Sequence, residues 1–453
     1  MSVLSHQNRA PNFKRLYADI NEFQIQRDEV QPIAGAIKAA VPFSMGRIKN
    51  ERRLPSGFSV RSFSLEIAHS IQSKIVSEHD GLIDQLLIAV PRETKAPIDP
   101  MDARHYFALF KGLGSWVKYI VLCDPRQKKA IFDLAQSAGI PSSNITFAIS
   151  PRFNYSIWAQ DAYVALTDST DGIILCEGIS FPRYEDMTIA DDVAAQSDVS
   201  VLQSHLYFQG GNVLNAGGIT LIGMDYVERN TRRFGLQDTE AVKAQFSTLF
   251  GTDILPIGGR NSGEYSWYEN GRLSGYGFQP IFHIDMYVTP TGVLGASGKE
   301  IVFLGRPEAA KQAVGKYSDV QALNNSQYNS FFDETEAALT TRFEVQYLPL
   351  WITQGDLGYT GQVDPRYYNL TFNNCIVQNS GDVRKVLLPS YSQDAALYGV
   401  DVNVRQRLEA AAENSWKSLG FEVTWMDGVE DLAFNQGAVH CITKTLRRKN
   451  NPE

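Results

Sequence analysis

The chain has 453 residues, of which 43% are hydrophobic and 20% are charged, so it contains enough apolar material for a large packed core. Its formal net charge of −8 argues against a general nucleic-acid binder, because phosphate backbones are held by a surplus of Lys and Arg. Four Cys, without a CxxC pair or zinc-type spacing, predict neither a disulfide framework nor a metal site.

No stretch of the sequence resembles a secretion signal or a membrane span. Residues 1–25 carry charged side chains throughout and lack the apolar centre of a signal peptide. No uninterrupted apolar run approaches the roughly 18 residues that cross a bilayer. We therefore expect no membrane partner and a cytoplasmic location, where a reactive thiol stays reduced.

Two regions are expected along the chain. Residues 1–80 are predicted to form an N-terminal extension or cap, irregular apart from one helix over 62–79, where apolar residues fall at helical spacing. Residues 81–453 are predicted to form one catalytic domain.

An order of strand, strand, helix and strand recurs within the predicted domain. The first unit has strands at 86–90, 116–123 and 145–149, with a helix between Asp124 and Gly139. The second has strands at 163–166, 173–176, 218–222 and 253–257 and a helix at 238–250. The third has strands at 282–288, 301–304 and 343–348 and a helix at 327–340. The fourth has strands at 368–372, 375–378, 386–388 and 421–426 and a helix at 402–419. A fifth holds residues 438–445. Five units predict an α/β fold with closed, pseudo-fivefold symmetry and loops that meet at its centre.

Four short stretches carry the residues with chemical potential. They read WAQD at 158–161, FQGGNVL at 208–214, HIDMYV at 283–288 and GAVHCIT at 437–443. Taken alone, Cys441 is typical of an inert strand thiol and His283 of a core histidine. However, Asp161, His283 and Cys441 lie near the starts of three different units, where a central site would collect them.

These stretches, in this order and with the Cys last, resemble the guanidine-modifying (pentein) superfamily in its peptidylarginine deiminase and agmatine deiminase branch. The resemblance covers roughly residues 84–447 and implies a five-bladed α/β propeller. It implies Cys441 as the nucleophile and His283 as the general acid and base. Asp161 and Asp285 would be the carboxylates that hold a guanidinium. It implies no cofactor, metal or calcium requirement.

Other residues near these motifs have two interpretations each. Trp158 is expected as a wall of the substrate pocket or as a core aromatic. Asn212 is expected as a substrate contact or as part of a tight turn at 210–212. The HxD spacing on a strand would put His283 and Asp285 on one face, whereas His440 would point away from Cys441 and have a structural role.

Departures from the family pattern bear on the substrate. Gln160 and the pair Arg447-Arg448 are closer to the animal protein-arginine enzymes, whereas agmatine deiminases typically carry Arg in the first motif and a glycine run before the last. Yet Asn435 stands where the protein-arginine enzymes carry an Arg that grips the peptide backbone. We expect peptidyl-arginine or a related arginine derivative as substrate, with agmatine or another small guanidine as the alternative.

The expected chemistry follows from the nature of a guanidinium, which is a planar cation and a poor electrophile. Carboxylates can accept its parallel N–H groups and leave one face open to a thiolate. The predicted reaction passes through a covalent thiouronium and yields a ureido group of the citrulline type and ammonia. The alternatives are an amidinotransferase with the same intermediate and a non-catalytic binding protein. Self-association into a homo-oligomer is a further option.

Overall fold

Strands and helices alternate along the described part of the chain, as the predicted α/β fold requires. The computed structural model describes residues 72–91, 100–150, 155–179, 186–236, 238–258, 265–269, 272–277, 283–315, 326–356, 365–391, 400–434 and 437–450. In these ranges the strands are β1 (Lys74–Ile75), β2 (Leu82–Val90), β3 (Lys118–Cys123), β4 (Ile145–Ile149), β5 (Tyr163–Thr167), β6 (Ile173–Glu177), β7 (Ser200–Gln203), β8 (Val213–Ala216), β9 (Ile219–Gly223), β10 (Asp253–Ile257), β11 (Tyr265–Glu269), β12 (Arg272–Gly277), β13 (Val288–Leu294), β14 (Glu300–Arg306), β15 (Glu344–Asp356), β16 (Pro365–Thr371), β17 (Ile376–Asn379), β18 (Arg384–Pro389), β19 (Glu422–Met426) and β20 (Thr443–Lys449). The helices are α1 (Pro100–Leu113), α2 (Lys128–Ser137), α3 (Ile189–Ala194), α4 (Met224–Arg233), α5 (Glu240–Phe250), α6 (Pro307–Val314), α7 (Ser326–Thr340), α8 (Val402–Ser418) and α9 (Glu430–Phe434).

Within the described ranges, the strands form five sheets of three or four strands and one hairpin, β11-β12. The sheet orders are β1-β5-β6-β7, β8-β9-β10, β13-β14-β15-β16, β17-β18-β19 and β20-β2-β3-β4. Each sheet contains an antiparallel pair and a parallel pair, and at least one helix connects the parallel strands. This is expected because a parallel pair needs a crossover connection. The predicted order of strand, strand, helix and strand is thus present in four of the sheets. In the sheet of β2, β3 and β4, α1 separates the first two strands, and the strands of the predicted second unit belong to two different sheets.

Strand β20 completes the first sheet, which is the β20-β2-β3-β4 sheet that holds the strands of the first predicted unit. It pairs antiparallel with β2, with Leu86 opposite Thr445 and Ile88 opposite Thr443. The assignment of residues 438–445 to a separate fifth unit is therefore wrong. Apolar periodicity shows that a segment is a strand, but it does not identify the strand with which it pairs.

Strand β2 lies between two layers of the core. Leu86, Ile88 and Val90 pack into the largest apolar cluster, whereas Leu87 and Ala89 pack into another one. Side chains of a strand alternate between faces, so residues 86–90, which are covered on both sides, are all apolar. Among the helices of the described ranges, none is both long and apolar enough to cross a lipid bilayer.

The predicted helix over 62–79 differs from the structure where it can be compared. Residues 62–71 lie outside the described ranges, and residues 72–79 contain β1 and turns instead of a helix. Lys74 pairs with Thr167 of β5, so pairing with a sheet edge overrides the local helical pattern. The division at residue 80 stays a prediction.

Candidate functional site

The four residues expected to carry the chemistry meet in one buried place. The Cys441 Sγ atom lies 3.4 Å from Asp285 Oδ2, and His283 Nδ1 lies 3.6 Å from Asp161 Oδ1. Each of the four is at most 3% exposed. Side chains from three distant parts of the sequence therefore share one site.

Gly211 lies against the side chains of this site. A Cβ atom built on Gly211 would lie 2.5 Å from His283 Nδ1 and 3.2 Å from both Asp161 Oδ1 and Asp285 Oδ2. The imidazole and both carboxylates thus approach the backbone of Gly211 so closely that a side chain there would force them to shift. The sequence predicted only a tight turn here, and the turn is present as a short 3-10 helix at Gly210–Asn212. The close approach of the three side chains to Gly211 was not foreseen.

Cys441 lies in a turn that precedes β20. The amide of Thr443 donates to the carbonyl oxygen of His440 at 3.1 Å, and the strand begins only at Thr443. The sequence predicted that His440 and Cys441 point to opposite faces of a strand, and this prediction is wrong. The His440 Nδ1 atom lies 2.9 Å from Asp285 Oδ2, the same oxygen that contacts Cys441. Alternation of side chains holds only for extended backbone, and this segment is not extended.

Asn374 fixes the Cys441 turn and was missed in the sequence. Its Oδ1 atom accepts the backbone N–H groups of His440 at 2.9 Å and Cys441 at 3.2 Å. Its Nδ2 group donates to Cys441 Sγ at 3.0 Å. One amide thus orients the turn and also supplies a hydrogen bond that stabilises a negative charge on sulfur.

Replacing Asn374 with aspartate is expected to slow alkylation of Cys441. The carboxylate keeps the shape and the acceptor for the two backbone amides, but it puts an oxygen in the place of the Nδ2 donor. A neighbouring negative charge raises the pKa of a thiol. Each increase of one pKa unit lowers the fraction of thiolate at a given pH about tenfold. The rate of Cys441 modification by chloroacetamidine, followed from pH 6 to 10, measures this. A profile identical to the wild type would show that Nδ2 does not act on the sulfur.

His283 also lies in a turn. Residues Ile284–Met286 form a 3-10 turn, so the predicted strand at 282–288 begins only at Val288. The His283 Nε2 atom contacts Gln209 Oε1 at 2.9 Å, which directs Nδ1 toward Asp161. His283 and Asp285 reach one site through this turn, and not through the two-residue period of a strand.

Asn212 holds the turn that contains His283. Its Oδ1 atom accepts the backbone N–H of Ile284 at 3.0 Å, and its Nδ2 group donates to Asp225 Oδ1 at 3.0 Å. Both ends of the amide thus bind protein groups. This favours a positioning role over the predicted contact with substrate.

Trp158 packs beneath the Cys441 turn. It is 7% exposed and belongs to the largest apolar cluster, and a Cβ atom at Gly437 would lie 2.2 Å from its ring. These contacts favour the core interpretation of Trp158. Gln160 donates its backbone N–H to the Cys441 carbonyl at 3.1 Å, which joins the first motif to the last. Asn435, whose identity bore on the substrate, lies outside the described residues.

Burial and neighbouring charges favour the neutral thiol of Cys441. Burial raises its pKa well above the ordinary range, and the carboxylates of Asp285 and Asp161 raise it further. A cation between the two carboxylates would offset their charge and favour the thiolate, which is the reactive form. The site is therefore suited to a positively charged ligand.

Comparisons with known proteins identify the fold. No family model and no curated protein matches the sequence. Solved structures that match most of the chain include an agmatine deiminase of C. jejuni (15% identity, 83% of this chain and 96% of that one, TM-score 0.54) and the agmatine deiminase of Enterococcus faecalis (12%, 84% and 98%, 0.55). Another is a protein of Porphyromonas gingivalis proposed as an arginine deiminase (16%, 83% and 99%, 0.53). The chain has the fold of these deiminases. Because the three structures belong to the guanidine-modifying superfamily, the resemblance inferred from the motifs is confirmed at the level of fold.

Proposed function

We propose that the protein is a guanidine deiminase that hydrolyses the guanidino group of peptidyl-arginine, or of a related arginine derivative, to a ureido group and ammonia. The observation that supports this most directly is the convergence of Asp161, Asp285 and His283 beside Gly211, with Cys441 Sγ in contact with Asp285. A planar cation with several N–H donors has the charge and the donors that two such carboxylates bind.

The first half of the reaction forms the covalent intermediate. A guanidinium between Asp161 and Asp285 offsets the two negative charges and lets the Cys441 thiol give up its proton to His283. The sulfur then attacks the central carbon, and a C–S bond forms. The C–N bond to one terminal nitrogen breaks as His283 returns the proton, so ammonia leaves and a thiouronium remains on Cys441.

The second half releases the product. Water attacks the same carbon, and His283 accepts one of its protons at Nδ1, the ring nitrogen that faces the site. The C–S bond breaks as the remaining hydroxyl proton passes to the sulfur, so the neutral ureido product leaves the Cys441 thiol and His283 releases its proton to solvent. Gln209 holds the other ring nitrogen, so the imidazole keeps its orientation through both halves.

A small guanidine such as agmatine is the second candidate substrate. The similar structures include agmatine deiminases, which supports this alternative at the level of fold. All four site residues are almost completely buried. A guanidino group at the end of a narrow, flexible chain can reach such a site, and both an arginine side chain and agmatine have that form.

The architecture predicted from the sequence is also part of the proposal. We propose that the five sheets are the blades of a five-bladed α/β propeller, with the site at its centre. Asp161, Asp285, Asn374 and Cys441 follow or precede strands of different sheets, as a central site requires. We also propose a reducing compartment such as the cytoplasm, because all four cysteines are unpaired.

Incubation with three guanidines tests the activity and separates the substrates. The panel consists of benzoyl-arginine amide as a peptidyl-arginine analogue, free arginine and agmatine. We expect equal amounts of ureido product and ammonia, without an added amine, and the highest kcat/KM for benzoyl-arginine amide. A higher value for agmatine would select the small-guanidine alternative. Conversion that occurs only after an acceptor amine is added would identify an amidinotransferase and would contradict the hydrolase proposal.

A further inference from the structure

A chain of three charged residues leads away from the nucleophile. Asp285 Oδ2 contacts Cys441 Sγ at 3.4 Å and His440 Nδ1 at 2.9 Å, and His440 Nε2 contacts Glu78 Oε2 at 3.0 Å. An imidazole between two carboxylates binds both through N–H groups only when both ring nitrogens are protonated. The contacts of both ring nitrogens with carboxylates therefore favour the imidazolium form of His440.

Its surroundings support the charged form. Burial lowers the pKa of His440, but Glu78 and Asp285 outweigh this effect and raise it to about 9. Burial also raises the pKa of Glu78, yet His440, Lys444 and Arg448 together lower it below its ordinary value. Glu78 is thus an ionised partner that keeps the proton on His440.

The reaction creates a problem of like charges that this imidazolium can solve. In the proposed mechanism, Cys441 becomes a thiolate 3.4 Å from Asp285 Oδ2. Two negative charges at this distance in a buried site repel each other strongly. The other carboxylate oxygen, Oδ1, is buried and has no hydrogen-bond partner among the described residues, so it is available for substrate.

We propose that His440, kept protonated by Glu78, is a positioning residue that neutralises Asp285 Oδ2, so that the Cys441 thiolate can form beside that oxygen while Oδ1 receives the guanidinium. This inference rests on the proposed function and adds a standing positive charge to it. His440 does not exchange a proton with the substrate. It acts through Asp285.

The charged groups around His440 come from several elements. Glu78 precedes β2, Asp285 lies in the turn before β13, and Lys444 and Arg448 belong to β20. Lys444 and Glu78 also line one small polar cavity. Lys444 interacts with Asp161 and Asp285 as well as with Glu78. The two carboxylates that contact His440 directly, Glu78 and Asp285, are the groups that raise its pKa.

Thiol reactivity in two variants tests the inference without any need for turnover. Alkylation of Cys441 by chloroacetamide, a small neutral reagent, is followed by mass spectrometry from pH 6 to 10 in the wild type, His440→Gln and Glu78→Gln. We expect His440→Gln to react at least tenfold more slowly at pH 7.5, because each unit of increase in the thiol pKa lowers the thiolate fraction about tenfold. In Glu78→Gln, His440 should lose its proton at a lower pH than in the wild type. The alkylation rate of Cys441, relative to the wild type, should therefore fall progressively from pH 6.5 to 9.

A second buried pair supplies matched controls. His79 Nε2 lies 3.0 Å from Glu300 Oε1, and His79 is 4% exposed, but this pair does not contact Asp285 or Cys441. His79→Gln and Glu300→Gln should therefore leave the pH dependence of alkylation unchanged. The imidazole NMR signals of His440, assigned with His440→Gln, should show a protonated ring at pH 8 in the wild type and a neutral one in Glu78→Gln.

The outcomes separate the inference from the proposed function. A neutral His440 at pH 7 in the wild type would overturn the inference. So would an alkylation rate in Glu78→Gln that is lowered by the same factor at every pH, because this would show a merely structural role. A pH-dependent deficit in protein that converts no guanidine would support the charge effect on Cys441 and refute the deiminase proposal. A pH-dependent deficit in both alkylation and kcat, with KM little changed, would support both.

Discussion

Replacing Cys441 with alanine is expected to abolish turnover of every guanidine that the wild-type protein converts. The loss should be roughly ten-thousandfold or more, the scale seen when a covalent nucleophile is removed from an enzyme. Binding should persist, because Asp161 and Asp285 hold the cation and neither is altered. Product formation measures the first effect, and calorimetric titration with the best substrate measures the second.

Cys176 provides the matched control for this variant. It is also a buried thiol, but it lies within β6, in the sheet that β1 and β7 border. Cys176→Ala should keep wild-type activity after correction for the folded fraction. Undiminished turnover in Cys441→Ala would refute the covalent mechanism, and equal losses in both variants would point to a general effect on stability.

Replacing Gly211 with alanine is expected to lower kcat/KM at least a hundredfold without unfolding the protein. The added methyl group would lie 2.5 Å from His283 Nδ1 and 3.2 Å from Asp161 Oδ1 and Asp285 Oδ2, so these side chains would have to shift. A shift of about 1 Å at a reacting centre costs on the order of a hundredfold in rate. Steady-state kinetics measure kcat/KM, calorimetric titration measures substrate binding, and the thermal unfolding midpoint shows whether the protein stays folded.

Gly112 in α1 is the control for this substitution. A Cβ atom there would lie 2.7 Å from Leu387 Cδ1, which is as crowded as the position at Gly211, but this neighbour is the end of a flexible side chain far from the site in sequence. Alanine also favours a helix over glycine. Gly112→Ala should therefore be active. Full activity of Gly211→Ala would show that the exact positions of the three side chains that approach Gly211 do not matter for turnover.

Much of the secondary structure follows from local patterns. The strands at 145–149 and 253–257 have the predicted bounds, and α8 matches the predicted helix at 402–419 within one residue. Asp401 explains this accuracy, because its side chain caps α8 at Asn403 and Val404. Such signals are local, so a sequence displays them.

Helix α1 shows where local patterns mislead. Pro100 and Gly112 are typical of loops, yet Pro100 occupies the first helical position, where the missing N–H costs nothing. At Gly112, the absence of a side chain allows Leu387 to approach the helix. Neither reason is visible before the tertiary contacts are known.

The site was predictable only where residue types form motifs. Cys441, His283 and the two aspartates could be found because four motifs occur in a recognisable order. Asn374 and Glu78 belong to no motif, and their roles depend on bonds to residues 66 or more positions away. One signal was available for Asn374, since it lies in the loop before β17, in a predicted unit to which no site residue had been assigned.

The pairing of β20 with β2 has a consequence for biosynthesis. During translation, β2 emerges long before its partner, so one edge of the first sheet has unsatisfied backbone groups until residues 443–449 leave the ribosome. Cys441 arrives in the same few residues. Synthesis of this segment therefore provides both the missing strand and the sulfur, and a nascent polypeptide lacks the Cys441 thiol until β20 is about to be made.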